Sequence, residues 1–177
     1  MSVAPQVRLR PTMTSDLDFV MAVERHPASL PYITPWDRIQ HEGAVRFPDF
    51  RHFIVEAGAD YEPAGFVILQ GCRNRHRSVE LKRLVLQLQG RGLGRACVRQ
   101  LARMAFRDLG AHRFWLDVKA RNERAQALYR SEGFVEEGRL RESVLTDEGY
   151  DSLVVMSMLA SEHQARCDAP AADASTS

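Results

Sequence analysis

Lysine is almost absent from this chain: Lys82 and Lys119 are the only two, and arginine supplies the rest of the 24 basic residues. That preference reads as the codon bias of a GC-rich genome and carries no chemistry of its own. Neither charge is in excess, because 23 Asp and Glu nearly balance the bases. Near-neutrality removes the electrostatic case for nucleic acid or an anionic membrane as the partner. Cysteine is scarce too. Cys72, Cys97 and Cys167 are odd in number, far apart and without CxxC spacing, so neither a disulfide framework nor a zinc site is indicated. Cys97 falls on the apolar side of a predicted helix, as a small hydrophobe would. No apolar run is long enough to span a bilayer, and Met1 to Arg10 lacks the charged-then-apolar pattern of a signal peptide. The expectation is a protein of the reducing cytoplasm, with no membrane, nucleic-acid or metal partner.

What is present suits one domain. The 177 residues are 45% apolar and 27% charged, the proportions of an ordinary globular chain with a core of its own. Val7 to Leu9 starts a strand ended by Arg10-Pro11, and Thr14 or Ser15 reads as the cap of a first helix. Three prolines between His26 and Pro35 make a loop, and a second helix is expected from about Trp36 to Phe47. Phe53 to Val55, Gly65 to Leu69 and Val79 to Leu86 read as strands. From Leu93 the apolar period becomes helical, through Cys97, Leu101, Met104 and Ala105, until Gly110. Phe114 to Val118 is a buried strand, Asn122 caps a short helix, and Phe134 to Val144 with Tyr150 to Leu159 form a last hairpin. The domain is placed at residues 1–160. The polar, Ala/Ser/Asp-rich stretch from Ser161 to Ser177 reads as a disordered tail. This order predicts an α/β fold: a mixed, mostly antiparallel sheet of six to seven strands with helices on both faces.

The informative segment is Gln89-Gly90-Arg91-Gly92-Leu93-Gly94-Arg95, where a strand meets a long helix. Glycines there let backbone N–H groups approach an anion, and a helix N-terminus adds free donors and the positive end of its dipole. A pyrophosphate is the natural guest, with Arg91 and Arg95 as charged supports; a tight turn without ligand is the bland alternative. A P-loop is excluded because Arg95-Ala96, not Lys-Ser/Thr, follows Gly94. The spacing also misses the dinucleotide fingerprint, whose last glycine would fall on Arg95 or Cys97.

Gln89-x-x-Gly92-x-Gly94 resembles the pyrophosphate motif of the GNAT acetyltransferases. The likeness extends outward, through Glu80 to Leu86, Arg113 to Val118, and Asn122-x-x-Ala125-x-x-Leu128-Tyr129-x-x-x-Gly133-Phe134. It covers roughly residues 7 to 159, and its N-terminal half is similar to the branch holding ribosomal-protein N-terminal acetyltransferases. One departure is a short connection between Leu86 and Gln89. The resemblance implies a GNAT fold with splayed fourth and fifth strands and acetyl-CoA as acyl donor. The pantetheine arm would lie along the backbone of Leu84, Val85 and Leu86. The pyrophosphate would sit on the turn of Gln89, Gly90, Arg91, Gly92, Leu93, Gly94 and Arg95. Asn122 would touch the pantetheine and Tyr129 would stand near the sulfur. Spacing agrees on one point: seven residues put Asn122 and Tyr129 on nearly one helix face.

Amine acetylation needs a proton acceptor, an oxyanion donor and a protonated leaving thiol. A carboxylate in an apolar strand gains proton affinity by desolvation, and Glu80 and Asp117 both fit, with Glu80 the first choice. A backbone N–H within Leu84 to Leu86 would serve the oxyanion. A tyrosine hydroxyl can protonate the departing thiolate. The resemblance implies a primary-amine acceptor, either a small molecule, a polyamine or a protein N-terminus, on a side lined by the first two helices and the last hairpin, which offer Glu24, Tyr32, Trp36, His41 and Tyr150. A homodimer is left open. The competing reading is a non-catalytic acyl-CoA-binding or sensor module, which would keep the glycine turn without using Glu80 or Tyr129.

Overall fold

The computed structural model describes residues 5–87 and 92–169. Seven strands form one sheet: β1 (Val7–Pro11), β2 (Phe50–Ala57), β3 (Glu62–Gln70), β4 (Ser78–Leu86), β5 (Arg113–Lys119), β6 (Val135–Thr146) and β7 (Gly149–Leu159). Their spatial order is β1-β2-β3-β4-β5-β7-β6, and every pair is antiparallel except β4 with β5. That parallel pair needs a crossover, which helix α3 (Leu93–Arg103) provides. The expected mixed sheet is therefore observed.

Alternation along β3 divides the core between the two faces. Phe66 and Ile68 point to α1 (Leu17–Glu24) and α2 (Arg38–Arg46), where Val20, Val23, Ile54 and Val85 complete a cluster. Val67 and Leu69 point the other way, to Cys97, Val98 and Leu101 of α3 and to Phe114 and Leu116 of β5. Leu101 is fully buried, so truncation to alanine there costs about 2–5 kcal/mol. Cys97 is buried among the same side chains, and burial pushes its thiol up to about 12. Among the described residues, no helix is long and apolar enough to cross a membrane.

Helix ends follow local chemistry. Asp37 caps α2 by accepting from Gln40 N (2.8 Å), while Gln40 Oε1 accepts from Asp37 N (2.9 Å). Asn122 Oδ1 accepts from Ala125 N (3.2 Å) and starts α4 (Glu123–Ser131), as its position predicted. Near the first helix the outcome differs: a 3-10 turn over Thr14–Asp16 comes first, and Asp16 takes the exposed N–H of Met13 (2.7 Å). The helical run from Leu93 changes hydrogen-bond register after Arg103. Met104–Asp108 is a π-turn, closed by Leu109 N to Met104 O (3.0 Å).

The tail expectation needs correction. The chain continues from β7 into helix α5 (Ala160–Asp168), which docks rather than dangles. His163 stacks on Phe106 with ring centroids 4.7 Å apart, and Arg166 donates to Ser131 O (3.2 Å). Composition missed this because α5 needs only one aromatic contact and a few polar ones. Residues 170–177 lie outside the described residues.

Candidate active site

β4 and β5 pair only over Ser78 to Glu80 against Arg113 to Trp115, and then diverge. A β-bulge explains the divergence. Ile68 faces Arg83 but Leu69 faces Leu81, so Lys82 is the extra residue, and such a bulge bends its strand. Beyond it, β4 remains paired to β3 as far as Leu86 and β5 to β7 as far as Lys119, each leaving one backbone edge open. Gly65 helps to hold β4 there: a Cβ on it would lie 2.1 Å from Val85 O. Between the splayed strands is a cleft of about 620 Å³. Leu84, Val85 and Leu86 form one wall, Asp117 to Lys119 the other, α4 and the start of α3 the floor, and residues 28–34 the roof. A smaller cleft of about 400 Å³, between α3 and α5, holds none of the predicted site residues.

Gly92 is the first residue of the helix turn and adopts φ +72°, the left-handed region that favours glycine. Ala96 N bonds to Gly92 O (3.0 Å), so the amides of Leu93, Gly94 and Arg95 come before the first intrahelical partner. Gly94 packs against α4, where an added Cβ would meet Leu128 Cδ2 at 3.2 Å. Gly92, Leu93, Gly94 and Arg95 all border the cleft. Arg95 pairs with the buried carboxylate of Glu132, which also holds Arg99 at 2.7 Å. Gln89, Gly90 and Arg91 lie outside the described residues.

Asn122, the cap of α4, and Tyr129 within it both line the cleft. Tyr129 is 9% exposed, its ring meets Phe134 edge-on, and burial pushes its hydroxyl up to about 12. The phenol therefore keeps its proton across the neutral range and can donate it. Asp117 lines the cleft directly. Glu80 sits one step deeper, where the strands are still joined, 8% exposed and 3.2 Å from Lys82 Nζ. Desolvation raises its affinity for a proton; Lys82 opposes that shift and Asp117 adds to it.

The acceptor-side residues separate into different groups. Tyr32 lines the cleft, whereas Tyr150 lies 68% exposed on the last hairpin. Glu24 and His41 are not lining residues at all: both are fully buried. They belong to a polar chain that sequence reasoning missed. Thr12 Oγ1 is 2.8 Å from His52 Nδ1, His52 Nε2 is 3.2 Å from His41 Nδ1, and His41 Nε2 is 3.0 Å from Glu24 Oε2. Glu24 ends the chain beside Arg83 Nε at 3.1 Å, and Arg83 stacks over Trp36. A signal was available: His52 alternates with Ile54 on the inward face of β2, and Glu24 lies four residues after buried Val20.

An open strand edge beside a helix start with unpaired amides fits the extended, amide-bearing arm and pyrophosphate of an acyl-CoA. The chain belongs to the GNAT acetyltransferases: the model of the Acetyltransferase (GNAT) family matches residues 17–134. It is an acetyl-CoA-dependent N-acetyltransferase. A spermidine N(1)-acetyltransferase of Escherichia coli (strain K12) is 27% identical over 96% of this chain and 95% of its own. A putative ribosomal N-acetyltransferase of Bacillus subtilis is 28% identical over 61% of each chain. The structure of the Vibrio cholerae spermidine N-acetyltransferase with CoA and spermine superposes with a TM-score of 0.81 at 27% identity, covering 90% of this chain and 98% of that one.

Proposed function

We propose that this acetyltransferase acts on a small primary amine that enters beneath the roof formed by residues 28–34. One observation carries the reading: the roof is tied to both strands of the cleft. Arg83 Nη2 donates to Thr34 O (2.6 Å) from β4, and Lys119 Nζ donates to Pro31 O (3.2 Å) from β5. A covered acceptor end suits a small molecule better than the N-terminus of a folded protein. The relatives that act on spermidine place polyamines among the amines to be tried.

Acetyl-CoA supplies the activated acyl group; this chain supplies proton traffic and alignment. Asp117 faces the incoming ammonium, and Glu80, with its raised proton affinity, takes the proton. The free amine forms the new N–C bond as the C–S bond breaks. A backbone N–H of Leu84 to Leu86 holds the oxyanion, and Tyr129 gives its proton to the leaving thiolate. The proton taken up by Glu80 returns to solvent, and the second proton, shed by the nitrogen as it is acylated, replaces the one that Tyr129 gave to the thiolate. Incubation with acetyl-CoA and a panel of polyamines, monoamines, amino acids and peptides tests the proposal: acetylation of peptide N-termini in preference to every small amine overturns it.

We further infer self-association through β6, an edge strand that exposes Leu140 and Leu145 by 49% and 68%. The related Vibrio cholerae enzyme has been solved as a dodecamer. Light scattering that returns the monomer mass at micromolar concentration excludes association here.

A further inference from the structure

The structure assigns the acceptor a second, negatively charged group: we propose that the substrate is an amine that also bears a carboxylate or phosphate, with its ammonium at Asp117 and its anion at Lys119. This rests on the small-amine reading above and narrows it. Asp117 and Lys119 are alternate residues of β5, so they stand on one face of the strand, with Cα atoms about 6–7 Å apart. Both border the same cleft.

Lys119 is only 5% exposed. Its ammonium has three donors, and Pro31 O takes one of them. Among the described residues, no carboxylate comes within ion-pair distance of it. Asp151, whose charge favours the ammonium, is held by Arg121 Nε at 2.9 Å. A buried ammonium with one carbonyl partner lacks a counter-charge, an arrangement that costs free energy until an anion arrives. Burial accordingly lowers the proton affinity of Lys119, and Arg121 lowers it further.

Asp117 is the complement. The neighbouring cations of the cleft are occupied: Lys82 by Glu80 at 3.2 Å and Arg83 by Glu24 at 3.1 Å. No described cation forms an ion pair with Asp117. Lining this end of the cleft are thus one acid and one base, alternate on the strand, that form no salt bridge with a described side chain, although Arg83 feels the charge of Asp117 and Lys119 that of Asp151. A zwitterionic amine satisfies both. A polyamine satisfies Asp117 alone and brings a second ammonium toward Lys119 and Arg83, where like charges repel. The only two lysines of this arginine-rich chain both line this cleft.

Matched acceptors test the proposal: an amino acid against its carboxamide, phosphoethanolamine against ethanolamine, and spermidine as the reference polyamine. The wild-type enzyme should favour the anionic member of a pair by about tenfold or more in kcat/KM, the scale of a hydrogen bond to a charged group. Lys119→Met should bring that ratio toward one, chiefly through KM, and Lys119→Arg should restore part of it. If the wild type prefers the carboxamide, ethanolamine or spermidine, the anionic-acceptor proposal fails while the small-amine reading stands. If Lys119→Met lowers both members of a pair equally, the lysine merely anchors Pro31 and the proposal also fails. If only peptides are acetylated, the small-amine reading itself is wrong and this inference falls with it.

Discussion

Glu24 Oε2 and His41 Nε2 lie 3.0 Å apart with both side chains fully buried, and this contact sets the direction of every proton in the chain behind it. Glu24 Oε2 also accepts from Trp36 N (2.9 Å), and Arg83 stands at its other oxygen as counter-charge. With the carboxylate accepting, His41 carries its proton on Nε2 and accepts on Nδ1 from His52 Nε2. His52 Nδ1 then accepts from the Thr12 hydroxyl. Each ring nitrogen of the chain thereby has a partner, and His52 is held there away from water.

Acid stability should show this. Burial, and then His41, push His52 down from its ordinary 6.5 to about 3. A base whose folded affinity is depressed contributes stability that is complete above 6.5 and drains as pH falls toward 3. The full effect is on the order of 3–5 kcal/mol. Urea unfolding between pH 7 and 4 should therefore lose free energy with up to one proton's slope. His52→Gln keeps a donor toward His41, so it should flatten that slope while lowering stability at pH 7. An unchanged slope in the variant assigns the acid sensitivity elsewhere.

Cofactor affinity should depend on the glycine turn. A side chain at Gly92 must adopt φ +72°, at a cost of about 1 kcal/mol, with its Cβ 3.6 Å from Pro5 Cγ, which strains the turn whose amides open on the cleft. At Gly94 it would press on Leu128 at 3.2 Å. Gly92→Val and Gly94→Val should each weaken acetyl-CoA binding at least about tenfold, the effect of losing one charge-assisted hydrogen bond. Calorimetry on folded Gly92→Val protein with wild-type affinity overturns the phosphate assignment.

The order of elements was legible because apolar periodicity is local: β3 alternates and α3 repeats at helical spacing whatever surrounds them. Asn122 and Tyr129 could be placed together for the same reason. What sequence alone did not show depends on chain segments that meet only in space. The bulge at Lys82 appears only when β3 is laid against β4, and it decides that Asp117 borders the cleft while Glu80 sits deeper. Likewise, Thr12, Glu24, His41 and His52 come from four separate segments and read as ordinary polar residues until the fold joins them. The helix over Ala160–Asp168 escaped because its polar composition hides a single docking face at His163 and Arg166.

Truncation tests that helix. A chain ending at Ala160 loses the His163–Phe106 stack, the Arg166–Ser131 bond and the Glu162 side chain that caps Leu159 N (2.8 Å). It should melt several degrees lower, given about 2–4 °C per kcal/mol for a domain of this size. A chain ending at Ala169 should melt with the wild type. Equal melting of both truncations would mean that α5 adds nothing to stability.

The pH–rate profile separates the three groups assigned to chemistry. Glu80 has a raised proton affinity, so its acidic limb should lie above the ordinary carboxyl value, and Glu80→Gln should remove that limb while lowering kcat by ~10²-fold. Stability gives an independent check. An acid whose folded affinity is raised favours folding below its ordinary value and opposes it as pH rises through the folded one. Glu80→Gln should therefore be no less stable at pH 8, and Lys82, a third exposed, can turn to water. Asp117→Asn should act mainly on acceptor KM if Asp117 only receives the ammonium. Should it remove the acidic limb while Glu80→Gln keeps it, Asp117 is the base. Tyr129 titrates at about 12, outside the assay range, so Tyr129→Phe should lower kcat by ~10²-fold without moving either limb. If all three variants keep both limbs and lose little rate, proton transfer passes through water, and the cleft works by alignment alone.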